Sequence, residues 1–509
     1  MQWLNEVVKE VIDRFPEGEV IVESGISPSG GYHMGYLREI ITCDAIKLAL
    51  EQKDRSARHV HFVDDLDGFR KVPAGVPADY EQYLGKPLCD MPAPDGSDRS
   101  YADYALQDFL DSVAKLGIEI DVIRSHEKYR SDFFVTAIEK TLENLPEVRK
   151  VLEEVSGRKL EKDWAPIQVN EDGYLKNRRF VSINTAAKEL TYLGADDTEQ
   201  TTSYKQGKVK LNWRLDWPAR WWLLGVRVEP SGRDHSTKGG SYDTGAALME
   251  KVFKASPPIP VPYNFVNRAG DTKKMSASKG NGILMSEVVS VLPPEVARYF
   301  ILRSSPDKLL FFDPVHGVAQ LIDEFAELLN KTSKTPDEEQ LIFLCRHNLE
   351  PVISRVPFSH LAASYQAALK DPDKTIDIIK RTDPDYEIDQ NIQIIKDELK
   401  FIEQWLDKWA PEDVKFELAD KVDASKFSDE EKAYLAKLAD EIVNAPADAD
   451  GEWFHKAVYA IKESMDLKPE QVFKPLYRAL IDKDSGPRAG WFLSILPRDW
   501  LIKRLRFEQ

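Results

Sequence analysis

The sequence predicts an α/β protein with an all-α C-terminal region, and three observations carry that expectation. Over the first 290 residues, short β-branched runs alternate with helical segments, at the spacing of a mostly parallel sheet covered by helices on both faces. From about residue 291 the spacing is helical, with almost no strand signal. Two stretches break the early alternation: 68–100, rich in Pro, Gly and Asp, reads as a long loop, and 158–216, with polar strands and turns, reads as an insertion.

The elements follow in order. Residues 1–15 place apolar side chains at 4, 7, 8, 11 and 15, which is amphipathic helix spacing and not a signal peptide. Val20–Glu23 reads as a buried strand, followed by a Gly/Ser/Pro loop and a helix from Gly35 to Glu51. His59–Asp64 and Ile118–Ile123 are further strands, with a helix over Tyr101–Leu116 between them and another over Ser131–Ser156. Gly225–Glu229 and Val261–Val266 are later strands flanking a helix near Tyr242–Lys254. Beyond them Val315–Leu329, Asp337–His347, Asn391–Trp409 and Asp429–Val443 show helical spacing. The expected organisation is a domain over 1–290 carrying the insertion, a helical connector over 291–350 and an all-helical domain over 351–509.

The chain has 509 residues, 42% apolar and 30% charged, the composition of a soluble protein of two to four domains. No stretch approaches the roughly 18–20 apolar residues that span a membrane. Cys43, Cys89 and Cys345 are odd in number and far apart, so neither a disulfide framework nor a zinc cluster is expected, and a reducing cytoplasm is the expected location. A net charge of −17 argues against coating nucleic acid by bulk electrostatics while allowing a local basic track. Residues 371–450 hold 11 Lys and Arg against 23 Asp and Glu, whereas 451–509 are net +3, so a polyanion contact is expected near Lys503, Arg504 and Arg506.

Two segments carry chemistry. Glu23-Ser24-Gly25-Ile26-Ser27-Pro28-Ser29-Gly30-Gly31-Tyr32-His33-Met34-Gly35-Tyr36 lies between a strand and a helix, where small residues let a ligand approach the backbone and free helix N–H groups face an anion. His33 adds a donor for phosphate, and Gly35 leaves room for an adenine or ribose. Asp271-Thr272-Lys273-Lys274-Met275-Ser276-Ala277-Ser278-Lys279-Gly280-Asn281 combines lysines, hydroxyls and glycine in a loop able to neutralise charge on a leaving pyrophosphate. Taken singly, the first is a glycine-rich turn and the second an exposed basic turn.

Taken together, the first segment resembles the HIGH signature and the second the KMSKS signature of class I aminoacyl-tRNA synthetases, in the order and separation of that family. The stretches Asp64–Pro73, Trp213–Trp221 and Gly232–Gly245, with Leu476–Leu480 and Ser485–Arg488, are similar to the lysyl branch of class I, and the likeness extends over the chain. The resemblance implies a Rossmann-type nucleotide-binding catalytic domain with an insertion, a helical stem, and a helical anticodon-binding domain over 351–509. It implies an enzyme that activates lysine with ATP and Mg2+ and transfers it to tRNA(Lys), as a cytoplasmic protein without a membrane partner and with a monomer favoured. His33, Gly35, Lys274, Ser276 and Lys279 would be catalytic. Ser27, Pro28, Ser29, His33, Gly35, Asp234, Asp243, Lys274, Met275 and Ser276 would hold ATP. Gly25, Ser27, Asp65, Phe69, Trp213, His235 and Tyr263 would form the amino-acid pocket, with Asp67 as a further brace or ammonium partner.

Departures from the pattern are Tyr36 at the fourth HIGH position and Ala277 in place of the second KMSKS lysine, with Lys279 as the substitute charge. Relatives often bind zinc in the insertion through cysteines, but residues 158–216 contain neither Cys nor His, so no structural zinc is expected. Two alternatives stand at this point: a class I synthetase for another amino acid such as glutamate, and a synthetase-like binding or regulatory protein that does not charge tRNA.

Overall fold

The computed structural model describes residues 1–270, 282–382, 388–447 and 449–508. The chain forms two compact units, one of Met1–Val289, Ala297–Phe312 and Lys334–Leu349, the other of Ser290–Val296, Asp313–Ser333 and Glu350–Gln509.

The first unit is built on a parallel sheet. Its strands are β1 (Val20–Ile26), β2 (Ala57–Val63) and β3 (Asp121–Arg124), with two more arriving after the insertion. The insertion supplies β4 (Ile167–Glu171), β5 (Tyr174–Asn184), β6 (Glu189–Leu193), β7 (Glu199–Ser203) and β8 (Val209–Leu211), an antiparallel sheet in the order β7-β6-β5-β4-β8. The chain then returns through the Trp213–Leu224 helix to β9 (Val226–Gly232) and β10 (Ile259–Tyr263), giving the main sheet the order β10-β9-β1-β2-β3, parallel throughout. Strands buried on both faces read as continuous apolar runs, and Val20, Val22, Val60, Phe62 and Val228 are accordingly in the core.

Several expectations shift in the structure. The single helix expected over 131–156 is two, Val135–Glu143 and Leu145–Ser156, with a separate short helix, Ser125–Arg130, ahead of them. Asp132 adopts a left-handed φ of 66° at the first break, and Pro146 stands at the start of the last helix. Asn212 accepts the Arg214 N–H at the head of the Trp213–Leu224 helix, so residues 213–216 belong to that helix. The strand expected over 261–266 divides at Asn264: the part before it joins the main sheet, and β11 (Val266–Arg268) pairs with β12 (Leu310–Phe312). That last strand is the one exception, among the described residues, to the helical expectation after residue 291.

The second unit is helical. Its core gathers Tyr434, Leu435, Leu438, Val472, Leu476, Leu480, Phe492 and Leu493 from helices Asp429–Val443, Pro469–Ile481 and Ala489–Ile495. The Asp429–Val443 helix starts with a capping box in which Ser428 and Glu431 satisfy each other's backbone N–H groups. No helix among the described residues is long and apolar enough to cross a membrane.

Candidate functional site

In the main sheet β1 has β2 on one side and β9 on the other, so the crossovers leave β1 in opposite directions and a crevice opens at the carboxyl ends of the strands. Gly25 and Ile26 of β1, Asp64 just past β2, Ser231 and Gly232 of β9 and Tyr263 of β10 all line one cleft of about 910 Å³. Gly25 lets the strands approach closely there: a Cβ would stand 3.1 Å from the Phe62 carbonyl on the neighbouring strand, a tight contact.

Ser27, Ser29, His33 and Gly35 of the first motif line the same cleft. The space expected at Gly35 for an adenine or ribose holds the His33 ring instead: a Cβ on Gly35 would lie 2.6 Å from that ring. The Gly35 N–H donates to His33 Nδ1 at 3.1 Å, which leaves Nε2 as the ring N–H, a donor suited to a phosphate oxygen. The chain directly after the second motif is fastened here. The Met34 N–H donates to the Ile283 carbonyl at 2.8 Å, the Met285 N–H donates to the Tyr32 carbonyl at 2.9 Å, and His33 bridges to Leu284. The second motif, residues 271–281 with Lys274, Met275, Ser276 and Lys279, lies outside the described residues.

The inner wall of the cleft is a buried ionic cluster. Arg220 donates to both Asp64 carboxylate oxygens at 3.1 Å, and its Nε is 2.9 Å from Glu23. Burial pushes the Glu23 carboxyl up to about 8 and that of Asp64 up to about 7, against the opposing pull of Arg220. Glu39, on the helix that follows the first motif, accepts the Gly25 N–H at 2.9 Å and the Tyr263 hydroxyl. Burial raises its carboxyl to about 7 even though these hydrogen bonds stabilise the anion. Glu229 of β9 accepts the indole N–H groups of Trp217 at 3.1 Å and Trp221 at 3.0 Å, and burial pushes it well above the usual carboxylate range. Glu39, Asp64, Asp67 and Glu229 thus line the cleft together with the buried cation Arg220. Such a concentration of buried acid is relieved either by holding protons or by taking a cationic ligand.

The expected pocket residues divide. Gly25, Ser27, Trp213, Asp234, His235 and Tyr263 line the cleft. Trp213 stacks on Trp217 at 5.0 Å between centroids, and His235 packs against both rings. Four others do not line it. Asp65 turns away to Ser125, Arg124 and His126; burial alone would raise its carboxyl, but the His126 hydrogen bonds and the Arg124 charge hold it below the usual range. Phe69 is packed with Tyr80, Leu88, Met91 and Tyr101 under the 68–100 loop, Asp243 accepts the Gly239 N–H at 2.8 Å, and Pro28 is buried. Sequence reading missed Glu39, Arg220 and Glu229, which look like ordinary helix or strand positions and are assembled from three separate elements. Among the described residues no group of His, Cys, Asp and Glu is arranged to hold a metal ion.

The helical unit has a second cleft, of about 1050 Å³. Phe358, Ala362, Ala363 and Trp405 are its buried lining, while His316, His360, His455, Arg488 and Trp491 are more exposed. Two walls meet because the Gly451–Ser464 and Ala489–Ile495 helices touch backbone to backbone: a Cβ on Gly490 would lie 2.4 Å from the Gly451 carbonyl. The basic track expected at 503–506 is committed to the fold in part, since Arg504 is buried and donates to the Asp420 carbonyl at 3.1 Å and Arg506 pairs with Asp440 at 2.7 Å.

Residues 1–344 match the family described as tRNA synthetases class I (K), and residues 362–508 match the anticodon binding domain family. A lysine–tRNA ligase of Archaeoglobus fulgidus is 35% identical, covering 99% of this chain and 99% of the relative. Lysine–tRNA ligase 1 of Methanosarcina acetivorans is 33% identical over 99% of this chain and 98% of its own length. The lysine–tRNA ligase of Thermococcus kodakarensis is 34% identical over the full length of both chains.

Proposed function

The chain belongs to the class I tRNA synthetases, and on that premise we propose that it is a lysine–tRNA ligase that draws lysine into the buried acidic cleft and activates it there with ATP. The observation that carries the reading is the set of four acidic side chains, Glu39, Asp64, Asp67 and Glu229, lining the cleft. Arg220 already serves Asp64, so a glutamate side chain would find no unshared buried cation among the described lining residues, whereas an ammonium finds Glu39. Full-length relatives named lysine–tRNA ligases support the same substrate.

In the first step a lysine carboxylate oxygen bonds to the α-phosphorus of ATP, the bond to the bridging β-phosphate oxygen breaks, and pyrophosphate leaves. A hydroxyl of the terminal ribose of tRNA(Lys) then attacks the carbonyl carbon, and AMP departs. No protein nucleophile is needed, so positioning and charge stabilisation supply the acceleration. His33 Nε2–H and the Ser27 and Ser29 hydroxyls face the phosphates, with Asp234 toward the ribose. Lys274 and Lys279 would neutralise charge on the leaving pyrophosphate and the Ser276 hydroxyl would donate to it, a role supported by the fastening of Ile283 and Met285 to Tyr32–Met34, while the Mg2+ that accompanies ATP would supply further positive charge. Gly25, Ser27, Glu39, Trp213, His235 and Tyr263 form the amino-acid pocket.

For the second substrate, the 351–509 domain would take the anticodon. Its cleft offers Trp491 as a stacking surface and Arg488 as a planar cation, the groups on which unpaired RNA bases are held. A cytoplasmic location accords with this activity. ATP–pyrophosphate exchange with each amino acid in turn, with and without tRNA, tests the reading. Exchange is expected with lysine alone, followed by transfer to tRNA(Lys). Exchange driven by glutamate, or by no amino acid, would overturn it.

A further inference from the structure

Lys210 stands in the middle of β8, between Val209 and Leu211, and all three side chains are fully buried. Successive strand residues face opposite sides, so a lysine between two core residues is expected in water. Val209 and Leu211 do join the hydrophobic core. Lys210 does not reach solvent: its Nζ lies 3.2 Å from Asp67, a residue lining the cleft, and 3.4 Å from Asp216 on the following helix. Its backbone is held in the inserted sheet, opposite Gln168 of β4. The cysteine-free insertion therefore delivers a buried cation to the back of the cleft wall.

Asp67 has a rival partner. Arg70 is 3.5 Å away, but its side chain is 78% exposed. An exposed ion pair is screened by water and worth little, while a buried one is screened far less. The carboxylate is thus held inward by Lys210 and could be drawn outward by Arg70. Asp216 is fixed separately by the Tyr129 hydroxyl, which also accepts the Leu211 N–H at 3.2 Å, so β8, Asp216 and Lys210 form one hydrogen-bonded unit.

We propose that Lys210 is a positioning residue of the amino-acid pocket: from the inserted sheet it pins the Asp67 carboxylate in the cleft wall, and thereby makes the insertion part of the machinery that selects the substrate. The proposal rests on the reading of this cleft as an amino-acid site. Without the Lys210 ammonium, Asp67 and Asp216 lose their buried cation, Asp67 turns toward Arg70 and water, and the wall that faces the substrate cation opens.

The test is ATP–pyrophosphate exchange by the full-length protein with lysine and ATP varied separately. In Lys210→Met the KM for lysine rises about tenfold or more while the KM for ATP stays within about twofold, and Lys210→Arg recovers most of the loss. Arg70→Ala leaves both values within about twofold, because the exposed pair contributes little. Lys210→Met also leaves two buried carboxylates in the fold, so Lys210→Met with Asp216→Asn is the control for folding. It restores charge balance behind the wall without restoring the pin, and is expected to melt near the wild type while keeping the raised KM for lysine. An unchanged KM for lysine in this folded double variant overturns the proposal, as does an equal rise in both KM values. Failure of the functional reading is seen independently, as the absence of lysine-dependent exchange in the unaltered protein.

Discussion

The two clefts of this chain have similar volumes, about 910 and 1050 Å³, and are built from different materials. The sheet cleft is walled by buried ionisable groups: Glu23, Asp64, Glu229 and Arg220 are each 3% exposed or less. The helical cleft is walled by buried apolar and aromatic side chains, and its histidines and Arg488 are exposed to some degree. In the first, each of these buried charges is held by another charge or by an N–H, so binding and fold share the same contacts. In the second, Trp491 packs against the helical core while Arg488 stands exposed on a wall that packs without it. Substitution of the buried charges should therefore affect stability and activity together in the sheet cleft, whereas Arg488 in the helical one should separate them.

The largest effect expected is from Arg220→Met. It leaves Glu23 and Asp64 buried without their cation, a loss of about 3–5 kcal/mol for a buried pair, out of a total stability of roughly 5–15 kcal/mol. Urea unfolding should show that loss, and pyrophosphate exchange should fall with it. Arg488→Met, on the exposed rim of the helical cleft, should shift the same unfolding curve by no more than about 0.5 kcal/mol. Equal shifts for the two arginines would break the comparison.

Glu39→Gln is the next largest and separates charge from shape. The amide keeps an acceptor for the Gly25 N–H and fits the same space, but it loses the negative charge offered to an ammonium. A hydrogen bond to a charged partner is worth about 1.5–3 kcal/mol, so the KM for lysine should rise roughly 10- to 150-fold with little change in the KM for ATP. The pH dependence has a definite sign. Burial raises the Glu39 carboxyl to about 7. A bound ammonium stabilises the anion and lowers that value, so binding expels a proton below about pH 7 and affinity rises with pH until the carboxyl is ionised. Calorimetry of lysine binding in buffers of different ionisation enthalpy should detect more proton release in the wild type than in the variant.

These residues also mark where the sequence is and is not legible. The strand, loop and helix around His33 and Gly35 are contiguous, and local rules of backbone freedom and helix termini suffice to read them as an anion site. The helices after residue 313 are legible for the same reason, through apolar spacing and caps such as Ser428 with Glu431. The ionic cluster is not local. Glu39 and Arg220 lie 181 positions apart and meet only because β9 returns beside β1, while Lys210 carries the apolar neighbours of an ordinary half-exposed strand. Asp65 and Phe69 fail in the opposite way: they sit in a polar, aromatic stretch that reads as a site, but the chain turns between Asp64 and Asp67 and sends Asp65 to Arg124 and Phe69 under the loop. Alternation along a strand or loop is decided by what packs on each face, and that information lies elsewhere in the chain.

The smallest effect expected is the one that isolates the helical cleft. Stacking of a base on an aromatic side chain is worth about 1–3 kcal/mol by alanine substitution. Trp491→Ala should therefore raise the KM for tRNA(Lys) in the transfer reaction roughly tenfold. Arg488→Ala, which removes an exposed side chain from the cleft rim, should do so with no loss of stability beyond about 0.5 kcal/mol. Both variants should retain wild-type pyrophosphate exchange, provided the assay is run at saturating tRNA, because the lysine and ATP groups are in the other unit. The two substitutions differ in one informative respect. Trp491 packs edge-on against His360 at 5.2 Å and joins the rim of the helical core, so part of its effect should appear in the melting temperature. Among the described residues Arg488 stacks on no ring, so a KM change there reports the ligand more directly. If Arg488→Ala leaves transfer untouched while Trp491→Ala lowers both stability and transfer, the helical cleft is a packing defect and the anticodon is held on another face.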